Sequence, residues 1–282
     1  MATMETQSNG GGQAPEVLRL EKVTLRFEST TALDRVSFQL RRGETCIIQG
    51  AAGSGKTVLL KIALGLIRPD EGQVFVFGKD MTHAHEREWM DVRARMGILF
   101  QEGGLFDSMT IEENVGYPLE NIKAVQCPVA EVRSRVEQAL QFVELGHTLE
   151  KVPSELSGGM RRRVGIARAV VTRPELVLYD SPTAGLDPIT ANNIMTLIAK
   201  ERDTRGTTTA LATHRYQDGH LLANYRYNAN TGRLEAAPNG GDDLRTRFLV
   251  MGDGRIVFEG TQNELEASTD AYVSKFAKRL TE

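Results

Sequence analysis

A chain of 282 residues with 34 basic and 37 acidic side chains has a net charge of −3 and 40% hydrophobic residues, the profile of an ordinary globular protein with a sizeable core. So even a balance argues against nucleic acid as the main partner, because such proteins carry a basic excess, and no apolar run reaches the ~20 residues that cross a bilayer. The two cysteines, Cys46 and Cys127, are too few for a disulfide framework and suit a reducing compartment.

Residues 1–15 are polar and Gly-rich, with neither a basic start nor an apolar centre, and read as a disordered tail instead of a signal peptide. Val17–Phe27 alternates in hydrophobicity, Ala32–Leu40 repeats that character, and Glu44–Gln49 is a short, largely apolar run. The first two predict strands with one buried face and the third a buried parallel strand. Lys56–Ile67 carries a helical stripe (Leu59, Ile62, Ala63, Leu66) that Pro69 is expected to close. Met96–Phe100 predicts another inner strand, and Glu131–Leu145 an amphipathic helix ended by Gly146. Leu176–Tyr179 reads as a strand delivering Asp180; Asp187-Pro188 reads as a cap and first turn of a helix to about Arg202; Thr207–Thr213 reads as one more strand. Strands alternating with helices imply an α/β fold with a largely parallel sheet. The stretch from about 101 to 173 predicts a helical subdomain inserted into it. The polar, Gly-rich segment 228–245 reads as a turn or flexible excursion.

Gly50-Ala51-Ala52-Gly53-Ser54-Gly55-Lys56-Thr57 lies between an expected strand and an expected helix. Glycines there let backbone N–H groups curl round phosphates, Lys56 neutralises their charge, and the Thr57 hydroxyl can ligate Mg²⁺. Asp180 at a strand end supplies a carboxylate for the same ion. Leu156-Ser157-Gly158-Gly159-Met160 before a basic helix is a second surface suited to phosphate, or else a plain helix cap with a Gly pair. Two such surfaces on one chain make sense if two chains sandwich nucleotide between them.

Together with Phe100-Gln101, Ala184-Gly185-Leu186-Asp187 and Thr213-His214, these motifs resemble the nucleotide-binding subunit of an ABC transporter over about Val17–Phe276. The resemblance implies an α/β, RecA-like P-loop NTPase core with an antiparallel β edge and an inserted helical subdomain, spanning 16–276 with a short tail at 277–282. It implies ATP and Mg²⁺ as cofactors, held by Gly50, Gly53, Ser54, Gly55, Lys56 and Thr57. Phe27 would stack on adenine. Gln101 would contact Mg²⁺ and the attacking water, with Thr57 and Asp180 completing the metal set. Ser157, Gly158 and Gly159 would face a partner's γ-phosphate, Asp187 would line the dimer seam, and His214 would touch the γ-phosphate. A second ATPase subunit, most simply an identical one, and integral membrane permease subunits are the implied partners, at the cytoplasmic face of the inner membrane. The run Gln101–Thr110, with Glu113-Asn114-Val115, Tyr117-Pro118-Leu119 and the Met of LSGGM, is similar to the ATPase of Mla/Mce-type phospholipid transporters. In that family this segment lies near the groove that receives a permease helix. Leu105, Phe106 and Met109 would then line the groove, or else serve ordinary packing.

One position departs from the family pattern. Where a catalytic Glu follows the metal-binding Asp, this chain has Ser181. A serine hydroxyl cannot act as general base at neutral pH, and such assistance is worth ~10²–10⁴-fold. Three alternatives follow: His214 and Gln101 position water for slow turnover, Glu102 reaches in, or the chain is an ATP-gated switch or the partner of a subunit that supplies the Glu. Among the remaining signals, His83-Ala84-His85-Glu86 reads as a solvated loop, Trp89 as packing, and Arg161-Arg162-Arg163 as a solvated, dimer-facing helix side.

Overall fold

The computed structural model describes residues 14–28, 30–101, 103–238 and 245–277. Residues 1–13, Glu102 and residues 239–244 of the expected excursion lie outside that set, as do 278–282. Three strands form the centre: β3 (Thr45–Gly50), β7 (Leu176–Asp180) and β8 (Thr208–Ala212), in which every residue is buried. Strands covered on both faces need no polar alternation, which explains their continuous apolar or small-residue character. They belong to a six-stranded sheet in the order β12-β11-β3-β8-β7-β6. It is parallel from β11 (Thr246–Gly252) to β6 (Met96–Leu99), with β12 (Arg255–Gly260) antiparallel at one edge.

The expected antiparallel edge is a separate four-stranded sheet, β2-β1-β4-β5. In it β1 (Glu16–Phe27) pairs with β2 (Thr30–Arg41) and with β4 (Glu71–Val76), and β5 is Lys79–Asp80. One core cluster joins this sheet to the main one through Leu59, Leu60 and Ile62 of α1 (Lys56–Ala63). Helix α1 stops four residues before the sequence stripe suggests, and the cause is Gly65, not Pro69. Gly65 has φ +67, and the Trp89 ring of α2 (Glu86–Arg93) packs where a Cβ would stand. Both features require glycine.

A second cluster lies under α3 (Ile111–Asn121), α4 (Val129–Phe142), α5 (Gly158–Val170) and α6 (Pro188–Arg205). The first three form the helical layer between β6 and β7. Helix α6 starts on the expected Asp187 cap, whose carboxylate accepts from the Ile189 and Thr190 N–H groups at 3.1 and 3.0 Å. It ends at Gly206 in the left-handed region. After α7 (Tyr216–Asn224), the start of the supposed excursion is ordered. β9 (Tyr225–Asn228) and β10 (Arg233–Ala236) form an antiparallel hairpin. It is tied to α6 by Asp203, which accepts from the Tyr227 N–H at 2.7 Å, and by Arg202, which donates to the Tyr225 carbonyl at 2.9 Å. Alternation in Tyr-Arg-Tyr-Asn and Arg-Leu-Glu-Ala was the signal for it. The chain then closes with α8 (Gln262–Glu266) and a short turn at Val273–Phe276.

Candidate functional site

Strand order brings the motifs together. β3, β8, β7 and β6 are consecutive parallel neighbours, so their C-terminal ends share one edge. β3 runs into Gly50, β8 into Thr213 and His214, β7 into Asp180 and Ser181, and β6 into Phe100 and Gln101. Parallel α/β sheets bind ligands at this carboxyl edge.

The phosphate loop is already curled. Gly50 has φ +152, and a Cβ there would stand 2.4 Å from the Met251 carbonyl oxygen and 2.5 Å from Ser54 Oγ. Gly53 and Gly55 take φ +79 and +100, Gly55 as the N-cap of α1. The Lys56 ammonium folds back into the loop and donates to the Gly50 and Ala51 carbonyls, both at 2.8 Å, and to Ser54 Oγ at 3.3 Å. Burial holds its pKa below the usual lysine value, while the nearby Asp180 carboxylate opposes that shift. A partly desolvated ammonium held by carbonyl dipoles, at a helix N-terminus, is suited to an anionic group. The residues therefore fit a nucleotide phosphate.

Asp180 is buried at 4% exposure, Thr57 is half-buried, and Gln101 is exposed. A carboxylate, a hydroxyl and an amide oxygen form a hard donor set that fits Mg²⁺. Ser181 turns the chain at φ +50; its N–H donates to the Ala212 carbonyl at 2.9 Å, and its hydroxyl stands 3.4 Å from Asp180 Oδ1. His214 is exposed beside that edge, and Phe27 lies 48% exposed at the end of β1. Ser157, Gly158 and Gly159 cap and open α5, with Ser157 Oγ accepting from the Met160 N–H at 3.3 Å. Their packing runs to α6, where a Cβ on Gly159 would stand 2.6 Å from Thr190 Cγ2. Ser157 and Gly158 are exposed, and Gly159 is half-buried against that helix.

Two buried charges that sequence reasoning missed hold the loop after Asp180. Asp218 of α7, 2% exposed, accepts from the Thr183 and Thr213 hydroxyls at 2.5 and 2.7 Å, joining the Ser181 loop to the strand end that carries His214. Burial pushes its carboxyl pKa up, against those two hydrogen bonds. Arg162, expected on a solvated helix side, is 8% exposed. Three consecutive helical residues sweep about 200°, so Arg161, Arg162 and Arg163 cannot share one face. Arg162 points inward and donates to the Ser181, Pro182 and Ala184 carbonyls at 3.0, 2.6 and 3.1 Å.

The family model described as ABC transporter matches residues 33–184. The chain belongs to the ABC transporter family. Among relatives, it is 30% identical over 262 residues to the intermembrane phospholipid transport system ATP-binding protein MlaF of Haemophilus influenzae, covering 93% of this chain and 90% of that protein. It is 38% identical over 271 residues to the methionine import ATP-binding protein MetN of Rhizobium johnstonii, covering 96% of this chain and 68% of that one. The dimeric, post-hydrolysis structure of the ATP-binding cassette MJ0796 bound to ADP and Pi superposes with a TM-score of 0.71 at 29% identity, covering 87% of this chain and 98% of that one. The cbiO1 subunit of Clostridium perfringens, part of the ABC transporter complex cbiONQ, gives a TM-score of 0.73 at 27% identity, covering 90% and 92%. The chain is an ABC ATPase that binds ATP with Mg²⁺.

Proposed function

We propose that this ABC ATPase energises phospholipid movement by closing and reopening a dimer on ATP, slowly, because position 181 lacks a base. The observation that carries the nucleotide chemistry is the folded-back Lys56 beside Asp180, on an edge shared with Gln101 and His214. Lys56 and the loop N–H groups bind the phosphates, and Phe27 offers its exposed ring to adenine. Thr57, Asp180 and Gln101 would hold Mg²⁺, which when bound neutralises charge on the phosphates. Ser181 presents only a hydroxyl. His214 and Gln101 are then left to orient water, which supports slow turnover over none.

Ser157 and Gly158 are exposed, as a surface serving a second chain's nucleotide must be, and the superposed MJ0796 cassette is dimeric. Asp187, which caps α6 three residues before the Thr190 that Gly159 meets, would line that seam. Arg168 and the tilted pair Phe106–Tyr117, with ring centroids 4.8 Å apart, help line an apolar groove of ≈ 390 Å³ between β6, α3 and α5. Asn114, fully buried, pins the Phe106 loop through the Phe106, Met109 and Thr110 carbonyls. This groove suits a short helix of a membrane permease. Phe106 lines it, whereas Leu105 packs against the core. No helix among the described residues is long and apolar enough to cross a membrane, so we place the chain peripherally, on the inner membrane's cytoplasmic face, through that permease.

The phospholipid reading rests on the match to MlaF over most of both chains and on Met160 in the signature. Methionine import is the second reading, favoured by the higher identity to MetN. The test is ATP turnover of the chain assembled with its co-purifying permease in liposomes. Stimulation that follows phospholipid composition and ignores methionine is expected. Stimulation by methionine with its binding protein would overturn it.

A further inference from the structure

We propose that Arg162 is a positioning residue, a buried strap that makes the signature helix and the loop after Asp180 move as one body. It rests on the reading above, in which Ser157, Gly158 and Gly159 serve the partner's nucleotide while Asp180 and Ser181 serve the chain's own. Under that reading one side chain links the two nucleotide sites of a dimer within each chain.

The geometry is specific. The guanidinium leaves the second turn of α5 and spans three carbonyls of one tight loop, Ser181, Pro182 and Ala184, at 2.6–3.1 Å. A planar fork with five donors can do this; an ammonium on a flexible stem cannot reach all three in fixed directions. The helix dipole opposes a cation so near an N-terminus, and the three carbonyl dipoles offset it. A second contact ties α5 to the helix that follows this loop: Gly159 packs on Thr190, one turn into the helix that Asp187 caps. From the other side Asp218 holds the Thr183 hydroxyl. The loop between Asp180 and Asp187 thus hangs between a buried cation on α5 and a buried carboxylate on α7. Displacement of α5 by a nucleotide on the partner would be passed directly to the backbone of Ser181.

Arg162→Lys keeps the charge but loses the fork. Expected is a folded chain whose ATP dissociation constant, measured under conditions that keep it monomeric, stays within about twofold of the parent, while kcat falls about tenfold or more. A purely structural role would lower the melting temperature and leave the kcat of the folded fraction unchanged, and that result would overturn the strap. Gly158→Asp tests the underlying reading separately, since Gly158 has open space around it and an added carboxylate would repel a facing phosphate. Loss of ATP-driven dimerisation in Gly158→Asp with full turnover in Arg162→Lys refutes the strap alone. Unchanged dimerisation in Gly158→Asp refutes the two-chain reading and the strap with it. Hydrogen exchange on the parent needs no variant: amides of 158–164 and 183–186 should gain protection at the same nucleotide concentration. Separate midpoints would contradict a rigid link.

Discussion

At the scale of single residues, the site depends on groups that cannot be exchanged without a steric or electrostatic penalty. Gly50→Ala would set a methyl 2.4 Å from the Met251 carbonyl oxygen. Overpacking of this kind costs about 1–3 kcal/mol, so a lowered melting temperature and weakened ATP binding are expected by calorimetry; a variant melting and binding like the parent would contradict the tight loop. Asp218 carries a pH signature. Its native pKa is raised above the carboxylate value of 3.8, so between that value and the raised one the native state binds more proton than the unfolded chain. That stabilisation is complete below 3.8 and fades as pH rises through the raised value. Asp218→Asn, which cannot titrate, should lose less stability than the parent over that rise in denaturant melts. Equal slopes would remove Asp218 from the pH dependence. The phosphate loop, Asp180 and His214 were legible in sequence because each is a short motif at a strand end. Arg162 and Asp218 were not. Their roles depend on which way a helix faces and on hydroxyls far away in the chain, and neither lies in a local pattern.

At the scale of elements, the parallel strands announced themselves as apolar runs, and Asp187-Pro188 gave the start of α6 to the residue. β4 and α2 went unpredicted although Gln73-Val74-Phe75-Val76 and Trp89-Met90-Asp91-Val92 carry signals, because elements of six and eight residues are too short to sustain a periodic pattern. The hairpin β9–β10 shows why polarity is a poor index of disorder: four residues per strand are held by buried ties to α6 and need little apolar surface. Asp203, 14% exposed at its side chain, pairs with the 7% exposed Arg202 at the end of the sheet opposite the nucleotide edge. Removing one partner of such a pair costs about 3 kcal/mol. Asp203→Ala should therefore lower the melting temperature by several degrees while the KM for ATP stays unchanged. A shifted KM would mean that the hairpin is coupled to the nucleotide edge.

At the scale of the whole molecule, the candidate site has two parts: a loop suited to phosphate, and the exposed Ser157-Gly158 surface, which the proposed reading assigns to a second chain's nucleotide. On that reading the chain is complete only as a pair. With Ser181 in both copies, ATP should hold the pair together longer than in a cassette with a base there. Size-exclusion chromatography with Mg·ATP should show a dimer that Ser181→Glu shortens to a transient species; a parent that stays monomeric at saturating ATP would contradict this.

The most direct measurement is steady-state ATP turnover with Mg²⁺ for the parent, Lys56→Ala and Ser181→Glu side by side. Slow turnover that Lys56→Ala abolishes and Ser181→Glu raises by about 10²-fold or more is expected for a motor throttled at the position of its missing base. Turnover that Ser181→Glu leaves unchanged would contradict the claim that this serine sets the rate.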